Sequence, residues 1–341
     1  MINSRLFDWY NIDINKNLNI KKRCPRPFDT VLIDKQGSCY LCECTSWLPQ
    51  PTGNLQIKNL EEIIESNIAI ELQQSILDDS YRYCNNKHCA YLLDYKGTDP
   101  WTFDEPVKQI KHVRLAVDDS CNLSCPSCRN KKIFYKNGGT FDKRIKLINK
   151  ILKFLESQKH DVQVHIGSDG DPFASLVYRY FMLKTKHFQN LKYSIQTNGL
   201  LIKKNFHKFK HITNNLTQIG ISIDGATKQT YEELRQGGVW EKIIENLEFL
   251  KTIKNFKIHF HFVVQQKNYH EIEKFIDLGI KYDADKIFFN RITDWNTLSN
   301  FNTHAVADKT HPENKKLLEI LDKISNTTYD KKDFVEFRSL L

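Results

Sequence analysis

What most constrains this chain is a three-cysteine loop at the end of the first strand of a strand–helix series. Cys121, Cys125 and Cys128 form a CxxxCxxC run, and His112–Asp118 just before it reads as a β-strand. From residue 111 onward, β-rich runs alternate with helical segments, which signals a parallel sheet with helical crossovers. The later expected strands are Val162–Gly167, Leu191–Thr197, Gln218–Asp224, Lys257–Val264 and Asp285–Asn290. Between the first two lies Phe141–Ser157, where Ile145, Ile148, Ile151, Leu152 and Leu155 keep helical spacing. Pro172–Phe188, Trp240–Ile253 and Asn268–Lys281 read as further crossover helices, and His311–Leu321 as a final one. The fold class is therefore α/β, an open partial (β/α)6 barrel of the TIM-like kind.

Within the strands the period is two. Val164 and Ile166, Ile219, Ile221 and Ile223, and Ile258, Phe260 and Phe262 are expected against the helices. The other face carries Gln163, His165, Ser194, Gln196, Asn198, Gly220, Ser222, Asp224, His259, His261 and Gln265. A closed eight-stranded barrel fills its middle with branched apolar residues, so a polar face predicts an occupied cavity. His165 and His261 read as hydrogen-bonded residues of that face, with proton transfer as the alternative.

Soft sulfur donors select iron–sulfur clusters or zinc over hard metals. A 4Fe–4S cluster takes four cysteines, so three would leave one iron open to a further ligand. A tetrahedral zinc site would need a fourth ligand, but His112 lies in the strand and no histidine follows before His160.

The other six cysteines, Cys24, Cys39, Cys42, Cys44, Cys84 and Cys89, all precede residue 90 and mark a separate module. Thr30–Asp34 and Ser38–Leu41 around the Gly37 turn read as a hairpin, followed by helices over Leu60–Ser66 and Ile68–Leu77. Six cysteines fall short of the about eight thiolates that two fully ligated cubanes need. Zinc, with His88 as a partner of the Cys84 to Cys89 segment, is the alternative.

Nine cysteines without a secretory signal argue for the cytosol and for metal ligation rather than disulfides. No apolar stretch approaches the roughly 18 residues a membrane span needs. The net charge of +9 is spread along the chain, with short runs such as Lys203–Lys210 that read as solvated helix faces. Nucleic acid is not the expected partner, and an acidic peptide substrate stays open.

The CxxxCxxC loop resembles the radical S-adenosylmethionine superfamily. Gly167-Ser-Asp-Gly-Asp-Pro-Phe173, Thr197-Asn198-Gly199, Ser222-Ile-Asp-Gly225 and Tyr231 through Gly238 resemble its later motifs in order. The first departs from the family's Gly-Gly-Glu-Pro, with Asp169 for a glycine and Asp171 for the glutamate. The resemblance implies that Cys121, Cys125 and Cys128 hold the cluster and are catalytic. It places Gly170, Asp171, Asn198, Ser222, Asp224, Arg235 and Gln265 at the S-adenosylmethionine, with Arg235 paired to its carboxylate.

Cys24, twelve residues, Gly37, four residues and Cys42 resemble the opening of the SPASM and twitch auxiliary-cluster domains. That implies an auxiliary 4Fe–4S cluster on Cys24, Cys42, Cys84 and Cys89. Cys39 and Cys44, which lie beyond those four ligands, read as small buried hydrophobes, as a substitute for Cys42 as ligand, or as a hydrogen donor. The expected division is 1–22 as an extension, 23–105 as auxiliary domain, 106–300 as radical core and 301–341 as a helical tail. The resemblance implies an oxidoreductase that abstracts a hydrogen atom from a substrate, expected to be a peptide or protein, and takes electrons from a reductant such as a flavodoxin or ferredoxin. The alternatives are a carbohydrate or other small metabolite as substrate, or a zinc-loaded, non-catalytic RNA-binding module.

Overall fold

A computed structural model describes residues 24–42, 48, 50–84, 89, 109–253, 255–330 and 334–338. The expected extension 1–22, Cys44 and His88 lie outside the described residues. Contacts divide the chain into two compact units. One runs to Val117 and adds Arg144–Val164; the other joins Asp118–Lys143 to the chain from His165.

The first unit holds α1 (Arg26–Asp29), β1 (Thr30–Asp34), β2 (Ser38–Tyr40), β3 (Gly53–Asn54), α2 (Leu60–Ile64), α3 (Asn67–Leu77) and β4 (His112–Ala116). Most of α4 (Gly139–Ser157) and the start of β5 (Val162–Ile166) complete it. The expected hairpin forms: β1 and β2 are antiparallel, and Gly37 takes the φ of +81° the turn requires. The Asp34 carboxylate accepts from the Gln36 and Ser38 N–H groups at 2.9 and 2.8 Å, fixing the turn. Ser66 Oγ caps α3 by accepting from Ala69 N–H at 3.2 Å.

β1 also runs parallel to β4, from Thr30 opposite His112 to Asp34 opposite Ala116. Thr30 through Ile33 are buried without alternation, as a strand covered on both faces must be. By sequence pattern the hairpin falls with the front module and β4 with the core; by contacts they share one unit. Leu147, Ile148, Ile151, Phe154 and Leu155 form the buried stripe of α4. A Cβ on Gly37 would come within 2.8 Å of Leu147, and Lys150 Nζ donates to the Leu55 carbonyl.

The second unit contains α5 (Leu176–Lys184), β6 (Leu191–Thr197), α6 (Ile202–Asn205), α7 (Lys210–Asn214), β7 (Leu216–Ser222), α8 (Lys228–Leu234) and α9 (Trp240–Thr252). β8 (Lys257–Val264), α10 (Ile272–Lys281), β9 (Lys286–Arg291), α11 (Asn314–Ser325) and β10 (Val335–Arg338) follow. β6 to β10 pair in sequence order, all parallel, which gives the expected α/β class. The helix expected from Pro172 starts only at Leu176, because the Asp171 carboxylate takes the Phe173 and Ala174 N–H groups and Ser175 caps α5. Strand β10 was not legible: four residues carry too short a pattern, and only pairing with β9 defines them.

The alternation holds. Ile219, Ile221, Ile223, Ile258, Phe260 and Phe262 are buried. The opposite face interlocks, with Gln196 Nε2 donating to Ser222 Oγ at 2.8 Å and His165 Nδ1 lying 2.5 Å from Ser194 Oγ. A Cβ on Gly220 would meet Gln196 Oε1 at 2.1 Å and His261 Nε2 at 2.9 Å, so both side chains lie over that glycine. His261 stacks on Phe288 at 5.0 Å. Among the described residues no helix is long and apolar enough to cross a membrane.

Candidate functional site

The cysteine loop follows Asp118 and is held by backbone and side-chain ties within the second unit. Cys121 N–H donates to the Ile133 carbonyl at 2.8 Å, and Ser124 N–H to Gln236 at 3.0 Å. The Cys128 and Arg129 N–H groups both reach the Cys125 carbonyl at 2.9 Å, which curls the loop into a turn. Gly170, with φ +69°, lets the next loop touch this one: a Cβ there would stand 2.5 Å from the Asp118 carbonyl and 2.7 Å from that of Ser120.

The thiols are set among donors. Cys121 Sγ accepts from Leu123 N–H at 3.5 Å and Asn198 Nδ2 at 3.7 Å. Arg129 Nη2 lies 3.4 Å from Cys128 Sγ, and Arg235 Nη1 lies 3.8 Å from Cys125 Sγ. Burial pushes the Cys121 thiol up to about 11, with Asp171 adding to the shift and Leu123 N–H and Arg129 opposing it. Burial likewise raises Cys125, against Arg235. Donors aimed at buried sulfurs favour the thiolate form that a metal requires.

Several residues expected at a cofactor have partners inside the chain. Asp171 accepts four hydrogen bonds, from Phe173 N–H, Ala174 N–H, Thr197 Oγ1 and Asn198 N–H. These bonds join two strand ends, and burial raises the Asp171 pKa above the usual range. Arg235 finds its carboxylate in Asp224, at 2.7 Å, while Asp224 Oδ1 accepts from Val263 N–H at 2.8 Å. Asn198 bridges to Asn122 Oδ1 at 2.9 Å beside Cys121. Ser222 Oγ is turned to Gln196.

Other polar atoms are buried without a partner. Gln265 Nε2, the Tyr231 hydroxyl and Arg235 Nε have none, although Gln265 and Tyr231 are almost wholly buried. Orphaned donors cost stability unless a ligand meets them, so their presence fits a bound polar cofactor. The three thiols with their N–H donors fit an anionic iron–sulfur cluster. Among the described residues no three His, Cys, Asp or Glu side chains converge on a single ion. A cubane does not ask this of them, since each thiolate binds its own iron.

Residues 117–279 match the family described as the Radical SAM superfamily. Those residues carry a radical SAM domain. A GTP 3′,8-cyclase of Alkaliphilus metalliredigens is 27% identical over 53% of this chain and 56% of its own length. A cysteine-type anaerobic sulfatase-maturating enzyme of Clostridium novyi is 27% identical over 52% of this chain and 50% of its own. The chain thus spans about half the length of these curated relatives. Streptococcus suis SuiB bound to precursor peptide SuiA aligns with TM-score 0.48 and 14% identity, covering 82% of this chain and 64% of that one. A domain of that family implies a 4Fe–4S cluster and S-adenosylmethionine.

The chain also gathers a second thiol group, in its first unit. The Cys24 thiol is raised by burial and by Cys42, Cys89 and Cys84, with Arg26 N–H lowering it. Cys84 is raised by burial, Cys89 and Cys42. Cys24 packs with Phe28, Ile76 and Tyr81, against which Cys84 also rests. Cys39 stands apart, fully buried in β2, its thiol 3.6 Å from the Gly37 carbonyl.

Two residues of the site were missed by sequence reasoning. Arg129 directly follows Cys128, and that adjacency was the available signal. Tyr178, whose hydroxyl donates to Asp169 O at 2.9 Å and accepts from Asp118 N–H at 3.4 Å, lies in a helix with no local mark of this role.

Proposed function

We propose that the protein cleaves S-adenosylmethionine reductively at Cys121, Cys125 and Cys128 and abstracts a hydrogen atom from a peptide or protein C–H bond, leading to oxidation, cross-linking or epimerisation. The observation that carries this reading is the second thiol group. Cys24, Cys42, Cys84 and Cys89, whose thiols act on one another, would supply four thiolates to an auxiliary cluster, through which an oxidation would pass the substrate electron. The sulfatase-maturating relative supports a protein substrate by its name.

When bound, the cluster and S-adenosylmethionine supply the hydrogen-abstracting 5′-deoxyadenosyl radical. The protein's part is orientation. Leu123 N–H and Asn198 Nδ2 fix the Cys121 sulfur, and Gly170 holds the loop in place. The Asp224–Arg235 pair braces Cys125, and Gln265 and Tyr231 offer their unpaired donors to the cofactor. On this reading residues 23–105 form a SPASM/twitch-like auxiliary domain, 106–300 the radical core and 301–341 a tail, in a cytoplasmic oxidoreductase served by a flavodoxin or ferredoxin.

A second reading has a small metabolite as substrate, favoured by the GTP 3′,8-cyclase names among the relatives. Deuterium transfer separates the two. Anaerobic enzyme with dithionite and S-adenosylmethionine is given a deuterated peptide pool, or deuterated sugars and nucleotides. Deuterium in 5′-deoxyadenosine from the peptides is expected, and transfer only from sugars or nucleotides would overturn the peptide reading.

A further inference from the structure

Two guanidinium groups stand against the thiols of the cysteine loop, and they differ in how their charge is met. Arg235 lies 3.8 Å from Cys125 Sγ, but Asp224 holds its Nη2 at 2.7 Å, with side chains 14% and 4% exposed. That charge is matched at contact distance in a buried setting.

Arg129 is 11% exposed, and its Nη2 lies 3.4 Å from Cys128 Sγ. Its Nη1 donates to the Asp119 carbonyl, which orients a guanidinium without cancelling its charge. The Asp169 carboxylate stands 3.8 Å off, is 33% exposed, and accepts from Gly170 N–H at 3.0 Å with the same oxygen. Arg129 therefore keeps more of its positive charge directed at the cysteine sulfurs than Arg235 does. The planar fork serves carbonyl and sulfur at once, which a lysine ammonium does less well.

We infer that Arg129 is an electrostatic positioning residue that raises the reduction potential of a cluster held by Cys121, Cys125 and Cys128. The inference rests on those cysteines holding the cluster. One-electron reduction adds a negative charge to an already anionic group, and a fixed, poorly screened cation stabilises the reduced form more than the oxidised one. The electron comes from the external reductant, and Arg129 neither gains nor loses one. A purely mechanical staple between residues 119 and 128 would alter cluster content and leave the potential unchanged.

The test is an EPR-monitored redox titration of the full-length, anaerobically reconstituted protein. Arg129→Gln keeps a donor for the Asp119 carbonyl and removes the charge. At the wild-type midpoint its reduced-to-oxidised ratio should fall on the order of tenfold, which for one electron is about 59 mV to the negative side. Arg129→Lys should shift less, and Asp169→Asn, which removes an opposing charge, should shift the other way. A wild-type potential in Arg129→Gln, or equal shifts in the Gln and Lys variants, overturns the inference. Should Arg129→Gln fail to hold iron, Asp169→Asn decides: a positive shift supports the inference, and none overturns it. A wild-type protein that assembles no cluster on this loop refutes the ligand reading itself, and iron content shows that before any potential is measured.

Discussion

The two thiol groups are built from the same residue and surrounded differently. Around Cys121, Cys125 and Cys128 stand the Leu123 N–H, the Asn198 amide and two guanidinium groups. Around Cys24 and Cys84 stand Phe28, Ile76 and Tyr81, and the thiols raise one another. Burial raises Cys121 and Cys125 as it raises Cys24 and Cys84, but only in the first group do guanidinium groups oppose the rise. On the proposed function the two groups have different tasks: the three-cysteine loop would be reduced, and Cys24 and Cys84 would hold an auxiliary cluster against an apolar shell.

The strongest way to break that division is to remove one thiol from each. Cys125→Ala should abolish 5′-deoxyadenosine formation, with the loss of about four irons. Cys84→Ala should lose about as much iron yet still cleave the cofactor, uncoupled from product. Product at the wild-type level from Cys84→Ala, read by mass spectrometry, would refute the auxiliary role.

Next is the buried Asp224–Arg235 pair. Asp224→Asn leaves a buried guanidinium without its carboxylate, and such breakage costs about 3–5 kcal/mol. Thermal denaturation should show a clear fall in Tm, and an unchanged Tm would mean the pair is solvated.

Gly170→Ala forces a side chain into a left-handed φ of +69° and onto the Asp118 carbonyl. It should loosen the three-cysteine loop and lower its cluster occupancy while the four-cysteine group keeps its iron. Equal loss from both would erase the contrast.

The smallest effect sharpens the position of Cys39. Burial, with the Asp34 carboxylate adding, pushes its thiol up to about 12 from 9.0. At pH 8 it should alkylate about a thousandfold more slowly than an unperturbed thiol, as three pKa units require. Because the folded-state pKa is raised, the stability this thiol contributes is full below about pH 9 and fades as pH rises through about 12. Rapid labelling of Cys39 in the folded protein, located by peptide mapping, would place it outside the core.

Much of this was legible in the sequence because it is local or periodic. The CxxxCxxC loop, the Gly37 hairpin and the alternation in Lys257–Val264 announce themselves within a few residues. Arg129 was legible in principle, one residue beyond the motif. The partners of Asp171 and Arg235 were not, because Thr197 and Asp224 meet them only once separate strand ends are brought together. The β1–β4 pairing was hidden for the same reason: nothing in Thr30–Asp34 names a strand some eighty residues away.

The most direct measurement is iron and sulfide content with an EPR spectrum of the anaerobically reconstituted, dithionite-reduced protein, with and without S-adenosylmethionine. About eight irons, with one of two cluster signals shifting when the cofactor is added, is the expected result. Stoichiometric zinc with no such signal would contradict it.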